Sequence, residues 1–266
     1  MTAVLEETWV LARRELTHWR QQPVGVIVNW LFTVMVALMF GGLFGGAIGA
    51  DYFDYLMPGM FALAMFFGVE ATMTAVSTDA AKGVTDRFRS LPINSASVVL
   101  GRCLADLMNS AVGLAVLVGA AAALGWRWHE GLGSALAAFG LLLLLRFALL
   151  WVGIFLGLVV KGPESVTMVQ ILVWPVGFLS GVFVDPDTMP AWLGTIAQWN
   201  PLSATAAASR DLFGNPGLVP DHALLLAVLW PLLLTAIFLP SPSTATAAST
   251  PDDQDEGRAP SHRYAM

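Results

Sequence analysis

Long apolar stretches separated by short polar ones dominate this chain. Residues 24 to 48, 55 to 76, 103 to 125, 132 to 160, 166 to 184 and 222 to 239 carry almost no charge. At 1.5 Å per residue, each predicts a helix able to cross about 30 Å of hydrocarbon. Ahead of the first stretch the pattern changes. Leu5, Trp9, Ala12, Leu16 and Trp19 recur at steps of four and three, while Glu6, Arg13 and Arg20 line another face. That spacing predicts an amphipathic helix over residues 1–23, lying along a membrane surface or packed on a partner. Beyond residue 240 the chain becomes rich in Ser, Thr, Ala and Pro, which predicts a disordered tail over 241–266. The expected fold is an all-α polytopic membrane protein: an interfacial helix (1–23), a six-span transmembrane domain (24–240) and the tail.

Basic residues between the stretches set the expected orientation, because Lys and Arg are retained on the cytoplasmic side. Arg13, Arg14, Arg20, Lys82, Arg87, Arg89, Arg102, Lys161, Arg258 and Arg263 fall on one side, against Arg127 and Arg210 on the other. Both termini are therefore expected in the cytoplasm of a plasma-membrane protein. Small-xxx-small glycine pairs, among them Gly153 with Gly157 and Gly177 with Gly181, predict close helix approach.

Two connecting segments hold most of the remaining information. Residues 77 to 102 carry dense charge around Val84, Phe88 and Leu91, a pattern that fits either a short helix with an apolar ridge, stopped by Pro92, or a solvated loop. Residues 178 to 213 stay apolar where a loop is normally polar. Pro190 is expected to start one short helix, Asn200 with Pro201 to break it, and Ser203 to cap a second that runs to about Phe213. Two such helices dipping into the outer leaflet and returning would account for this pattern; a surface hairpin is the alternative.

Composition narrows the function classes. Only 12% of residues are charged and the net charge is -6, against about 25% charged in an ordinary soluble domain. No basic stripe points to nucleic acid. Cys103 is alone, and the four histidines have no zinc-ligand spacing. No GxSxG motif or paired catalytic acids suggest an intramembrane enzyme. No GxxxxGK[ST] loop is present to cradle phosphates, so any ATP that drives this chain is expected on another subunit. Glu70, Asp106 and Arg146 lie within or near the spans, where ionisable groups carry function by default. Asp106 is four residues past Arg102, a spacing that allows a pair, and Arg146 is expected either to pair with Glu70 or Asp106 or to face a wet cavity.

At the two connecting segments the chain resembles the integral membrane subunits of type-2 ABC exporters, in particular their daunorubicin-resistance permease branch. Asp79, Gly83, Thr85, Arg87, Arg89, Leu91, Pro92, Gly101 and Arg102 follow the order of the family's cytoplasmic loop. Phe178, Ser180, Gly181, Phe183, Pro190, Trp192, Leu193, Asn200, Pro201 and Leu202 follow its second signature, and Arg210 falls where the family often has an Arg. The resemblance implies a permease that binds no cofactor itself and pairs with an ATPase subunit carrying ATP and Mg²⁺. It also implies a second permease copy or a sister permease. Asp79, Lys82, Gly83, Thr85, Arg87, Arg89, Leu91, Pro92 and Arg102 then form the ATPase-coupling loop. Phe178, Ser180, Gly181, Phe183, Pro190, Trp192, Asn200 and Pro201 form an outer gate. The cargo implied is an amphiphilic drug, antibiotic or lipid. The alternatives are a polysaccharide-exporting permease of the same architecture and an ion-driven secondary transporter.

Overall fold

The structure, a computed structural model, describes residues 9, 10, 13, 23–49, 51–83, 95–160 and 162–239. The expected interfacial helix, but for residues 9, 10, 13 and 23, and the tail lie outside these, as do Thr85, Arg87, Arg89, Leu91 and Pro92. Among the described residues there is no strand. The described residues form eight α-helices, in order α1 (Pro23–Ile48), α2 (Tyr52–Ala81), α3 (Ser95–Ala123), α4 (Leu132–Val159), α5 (Pro163–Phe178), α6 (Ala191–Gln198), α7 (Pro201–Phe213) and α8 (Ala223–Phe238). A 3-10 turn at Pro186–Thr188 precedes α6.

Among the described residues three helices are long and apolar enough to cross a membrane: α2, α4 and the Val99–Ala123 part of α3. The shorter apolar helices are Trp30–Gly46 within α1, Glu164–Phe178 within α5, and α8. The expected fifth span, 166–184, is corrected: α5 stops at Phe178 and is 16 residues long, about 24 Å. The apolar run continues, but side chains take the carbonyls that a longer helix would need. Asn200 Nδ2 donates to the carbonyls of Val176 and Leu179, both at 2.9 Å. α2 also runs past the expected end of the second span, residue 76, without a break to Ala81, and carries Asp79 in its last turn; the short helix expected around Val84, Phe88 and Leu91 lies outside the described residues.

α2 is the central element, touching α1, α3, α4, α5 and α7. Eight successive residues, Leu56 to Leu63, are buried, so at that level the helix is enclosed on all sides. α4 lies against it through glycines. A Cβ at Gly157 would lie 2.7 Å from the Met73 carbonyl oxygen, and one at Gly153 would lie 3.0 Å from that of Val69. Only a bare backbone allows this approach. In contrast, a Cβ at Gly42, Gly45 or Gly46 of α1 meets nothing of this chain within 4 Å.

One end of the bundle is closed by aromatic packing. Trp126, in the α3–α4 connection, meets Phe61 and Phe213 edge-on at 5.0 and 5.2 Å. Its indole N–H donates to Asn215 Oδ1 at 3.2 Å, and Asn215 Nδ2 donates to the Arg127 carbonyl at 3.1 Å. Gly214, at φ 68°, supplies the left-handed residue that ends α7 and turns Asn215 toward Trp126. Toward the other end, Cys103 is buried among Val76, Leu150, Trp151 and Ile154.

Candidate functional site

Residues 179–184 form a turn whose polar backbone is satisfied by side chains from other elements. Arg210 of α7 is 2% exposed. Its Nη2 donates to the carbonyls of Gly181 and Val182 at 2.8 and 2.9 Å, and its Nε donates to the Tyr55 carbonyl at 2.8 Å. The guanidinium also lies 3.9 Å from the centre of the Tyr55 ring, a cation–π arrangement. Tyr55 and Tyr52 donate their hydroxyls to the carbonyls of Gly181 and Phe183 at 3.0 and 3.2 Å. Burial pushes the pKa of Arg210 down, opposed by Tyr55, Asp185 and Tyr52; a guanidinium remains charged regardless. The planar fork holds three carbonyls from two segments at once through two nitrogens, Nε and Nη2; a lysine ammonium would have to reach all three from a single nitrogen.

The ends of this turn are fixed in the same way. Ser203 Oγ accepts from the Gly181 N–H at 2.8 Å, and Ser180 donates to the Gly177 carbonyl at 2.5 Å. Asn200, besides holding α5, accepts from the Leu202 N–H at 2.9 Å and so caps α7. The expected cap, Ser203, is therefore corrected: it sits inside α7 and serves the turn. Phe178 and Phe183 stack at 5.1 Å, and Phe40 of α1 packs on Phe183 at 4.4 Å. Trp192, Ile196 and Trp199 of the α6 segment present exposed apolar surface.

A second polar cluster lies deep between α2, α3 and α4. Arg146 is 3% exposed. Its Nε donates to Ser110 Oγ at 2.8 Å and its Nη2 to Thr72 Oγ1 at 2.9 Å; Asp106 Oδ2 is 4.0 Å from Nη2. Thr72 passes the contact on by donating to Asp106 Oδ2 at 3.0 Å. Of the two candidate partners of Arg146, the structure selects Asp106. Arg146 is buried and Asp106 is partly exposed, so removing Asp106 leaves a buried guanidinium without its counter-charge, a change that costs up to about 3–5 kcal/mol where both members are buried.

The expected i, i+4 pair of Arg102 with Asp106 is corrected as well. Arg102 forms an ion pair with Asp79 instead, joining the start of α3 to the last turn of α2. This bond closes the base of the segment that contains the charged residues 84–94. Gly83, at φ 65°, begins that segment, and Lys82 is exposed at its edge. Asp79, Lys82, Gly83 and Arg102 thus lie at one end of the bundle, and the Arg210 turn at the other.

Against this geometry, the sequence profile of the ABC-2 type transporter family matches residues 6–213. The chain belongs to that family. It is 34% identical to the daunorubicin resistance ABC transporter permease protein DrrB1 of Streptomyces coeruleorubidus, over 90% of this chain and 84% of that one. It is 26% identical to the probable doxorubicin resistance ABC transporter permease protein DrrC of Mycobacterium tuberculosis strain H37Rv, over 80% and 79% of the two chains. As an ABC-2 permease it is a membrane component of a transporter.

Within this permease the two signatures are physically separate. Residues 178–183 and 200–201 gather around the Arg210 turn, while Asp79 and Arg102 meet at the opposite end of α2. Tyr55, Tyr52 and Gly59 were not singled out by sequence reasoning, yet they build the socket for Arg210. A Cβ at Gly59 would lie 2.8 Å from Arg210 Nη2. Their signal was faint: two tyrosines and a glycine inside an apolar stretch, more than 120 residues before their partners.

Proposed function

We propose that this chain is the membrane half of an ATP-driven exporter of an amphiphilic drug, antibiotic or lipid. Both termini lie in the cytoplasm, α1, α2, α3, α4, α5 and α8 are the six spans, and α6 with α7 forms a re-entrant hairpin that gates the outer side. Residues 1–23 lie along the inner surface and 241–266 form a cytoplasmic tail. A separate ATPase, which carries ATP and Mg²⁺, docks on the 77–102 loop, and a second copy or a sister permease completes the transport path. The drug-resistance names of the two relatives support the cargo class.

The observation that carries this reading is the continuity of α2. Its 30 residues, about 45 Å of helix, begin in the Arg210 socket at Tyr52 and Tyr55 and end at the Asp79–Arg102 ion pair. One unbroken helix, with Pro58 near its socket end, joins the loop to the gate and lets movement at one reach the other without melting the membrane core. The exporter then works by alternating access: closing ATPases draw the loops together, α2 tilts, and the turn at 179–184 shifts with it.

Reconstitution with the cognate ATPase in vesicles tests this proposal. Arg87→Glu combined with Arg89→Glu should abolish stimulation of ATP hydrolysis by the permease. Undiminished coupling would overturn the assignment of the loop.

A further inference from the structure

We infer that the cavity beside the Arg210 turn is an outward-facing site for an organic cation arriving from the medium, and that its occupant holds the turn in place. The cavity, of about 470 Å³, lies between the α1–α2 connection and the 183–188 and 216–218 segments. Sites for drug-sized molecules span about 300–1,000 Å³. The inference rests on the proposed orientation, which puts this end of the bundle outside, and on no other part of the export reading. Gly217, at φ 146°, brings the 216–218 segment onto α2, where a Cβ would lie 3.3 Å from the Tyr55 ring.

Part of the lining is aromatic. Tyr52 and Tyr55 stack with ring centroids 6.3 Å apart, and Phe183 lines the same space. Both hydroxyls are committed to carbonyls of the turn, so the tyrosines offer a ligand their rings. Two carboxylates complete the lining. Asp51 is exposed and makes no side-chain cap bond to α2. Asp185 accepts from two neutral donors, the N–H groups of Asp187 at 3.1 Å and Leu218 at 3.4 Å. Among the described residues no Lys, Arg or His lines the cavity; the Arg210 guanidinium, against Tyr55, is turned to its three carbonyls. Ring faces attract a cation and stack on a flat body, while a carboxylate only accepts. An anion would meet like charge, and a divalent metal takes six or more oxygens, which a largely apolar lining does not supply. Phe183 and Val184 belong both to the turn and to the cavity. A ligand seated on them binds only while the turn is in place, and therefore shifts the equilibrium toward that state.

The full-length chain in phosphatidylcholine nanodiscs provides the test. The probes are berberine, a flat and permanently charged fluorophore, and its uncharged reduced form, dihydroberberine. The wild type should bind berberine about tenfold more tightly than dihydroberberine. Asp51→Asn and Asp185→Asn should each lower berberine affinity about threefold and together remove the preference, with dihydroberberine unaffected. Asparagine keeps the oxygen that accepts from the Asp187 N–H, so the local fold is retained. Berberine should also slow hydrogen exchange over residues 179–184 in the wild type and not in the double variant. Equal wild-type affinities, a preference that survives both substitutions, or a loss shared by the neutral probe would overturn the site. Unchanged exchange on binding would overturn the hold on the turn. Sidedness has its own arm: Asp51→Cys with Cys103→Ser should react with a membrane-impermeant maleimide in intact cells. Reaction in inside-out vesicles alone would overturn the outward placement, and with it the proposed orientation, while the nanodisc result would stand.

Discussion

A Cβ at Gly68 would lie 2.5 Å from the Arg146 Cζ, and one at Gly59 would lie 2.8 Å from the Arg210 Nη2. Both buried arginines of the described residues therefore lie over bare backbone of the same helix, each from a different neighbour. The far end of a long side chain ordinarily swings aside for a methyl group. Here it is held: Arg146 by Ser110 and Thr72, Arg210 by three carbonyls. Gly68→Ala is therefore expected to destabilise the protein by about 1–3 kcal/mol through overpacking. Gly119→Ala and Gly140→Ala, where a Cβ meets nothing within 4 Å, should be near neutral. Thermal unfolding of the detergent-solubilised variants, followed by intrinsic fluorescence, makes the comparison, and equal midpoints for all three would refute it. The charge of Arg146 was legible in sequence, as was Asp106 as a candidate partner. Arg210 was read as an outward basic residue at a position where the family often has an Arg, without its partners. Its partners are backbone carbonyls far along the chain, and a carbonyl leaves no mark in a sequence.

At the level of elements, the apolar pattern located α1, α4 and α8 closely, because each is a continuous apolar run with little to compete against it. It failed at α5, where hydrophobicity extends past the helix end. There the boundary is set by tertiary hydrogen bonds to Asn200, which hydropathy does not contain. Asn200 has two separable duties: its oxygen caps α7, and its amide nitrogen holds the end of α5. Asn200→Asp retains the cap and loses both donated bonds, whereas Asn200→Ala loses everything. Stability should fall in that order, with a loss of about 1–2 kcal/mol for the alanine variant. Hydrogen exchange resolves the two duties. Asn200→Asp should leave α7 protected while the 176–182 segment opens, and loss of protection in α7 as well would show that the cap does not act alone.

Across the whole molecule, the Asp79–Arg102 pair is only partly shielded, with side chains 40% and 25% exposed. An ion pair so open to water contributes about 0–1 kcal/mol. Its importance then lies in position, since it sets the spacing at the base of the 84–94 segment. Asp79→Asn should leave the unfolding midpoint nearly unchanged while lowering stimulated ATP hydrolysis several-fold, and the exchange Asp79→Arg with Arg102→Asp should restore it. A variant whose stability and coupling fell together would argue for a merely structural bond.

The same central helix has a consequence for how the protein is made. Of the three long helices, α2 is the least apolar and α4 the most; α2 carries Glu70 and Asp79, and α4 carries the arginine that α2 shelters. A segment of that kind enters lipid weakly by itself. During synthesis α2 emerges some 50 residues ahead of α4, so the insertion machinery must hold it until the glycine face and guanidinium of α4 arrive. Chains arrested between these two helices are where quality control would first detect a faulty copy.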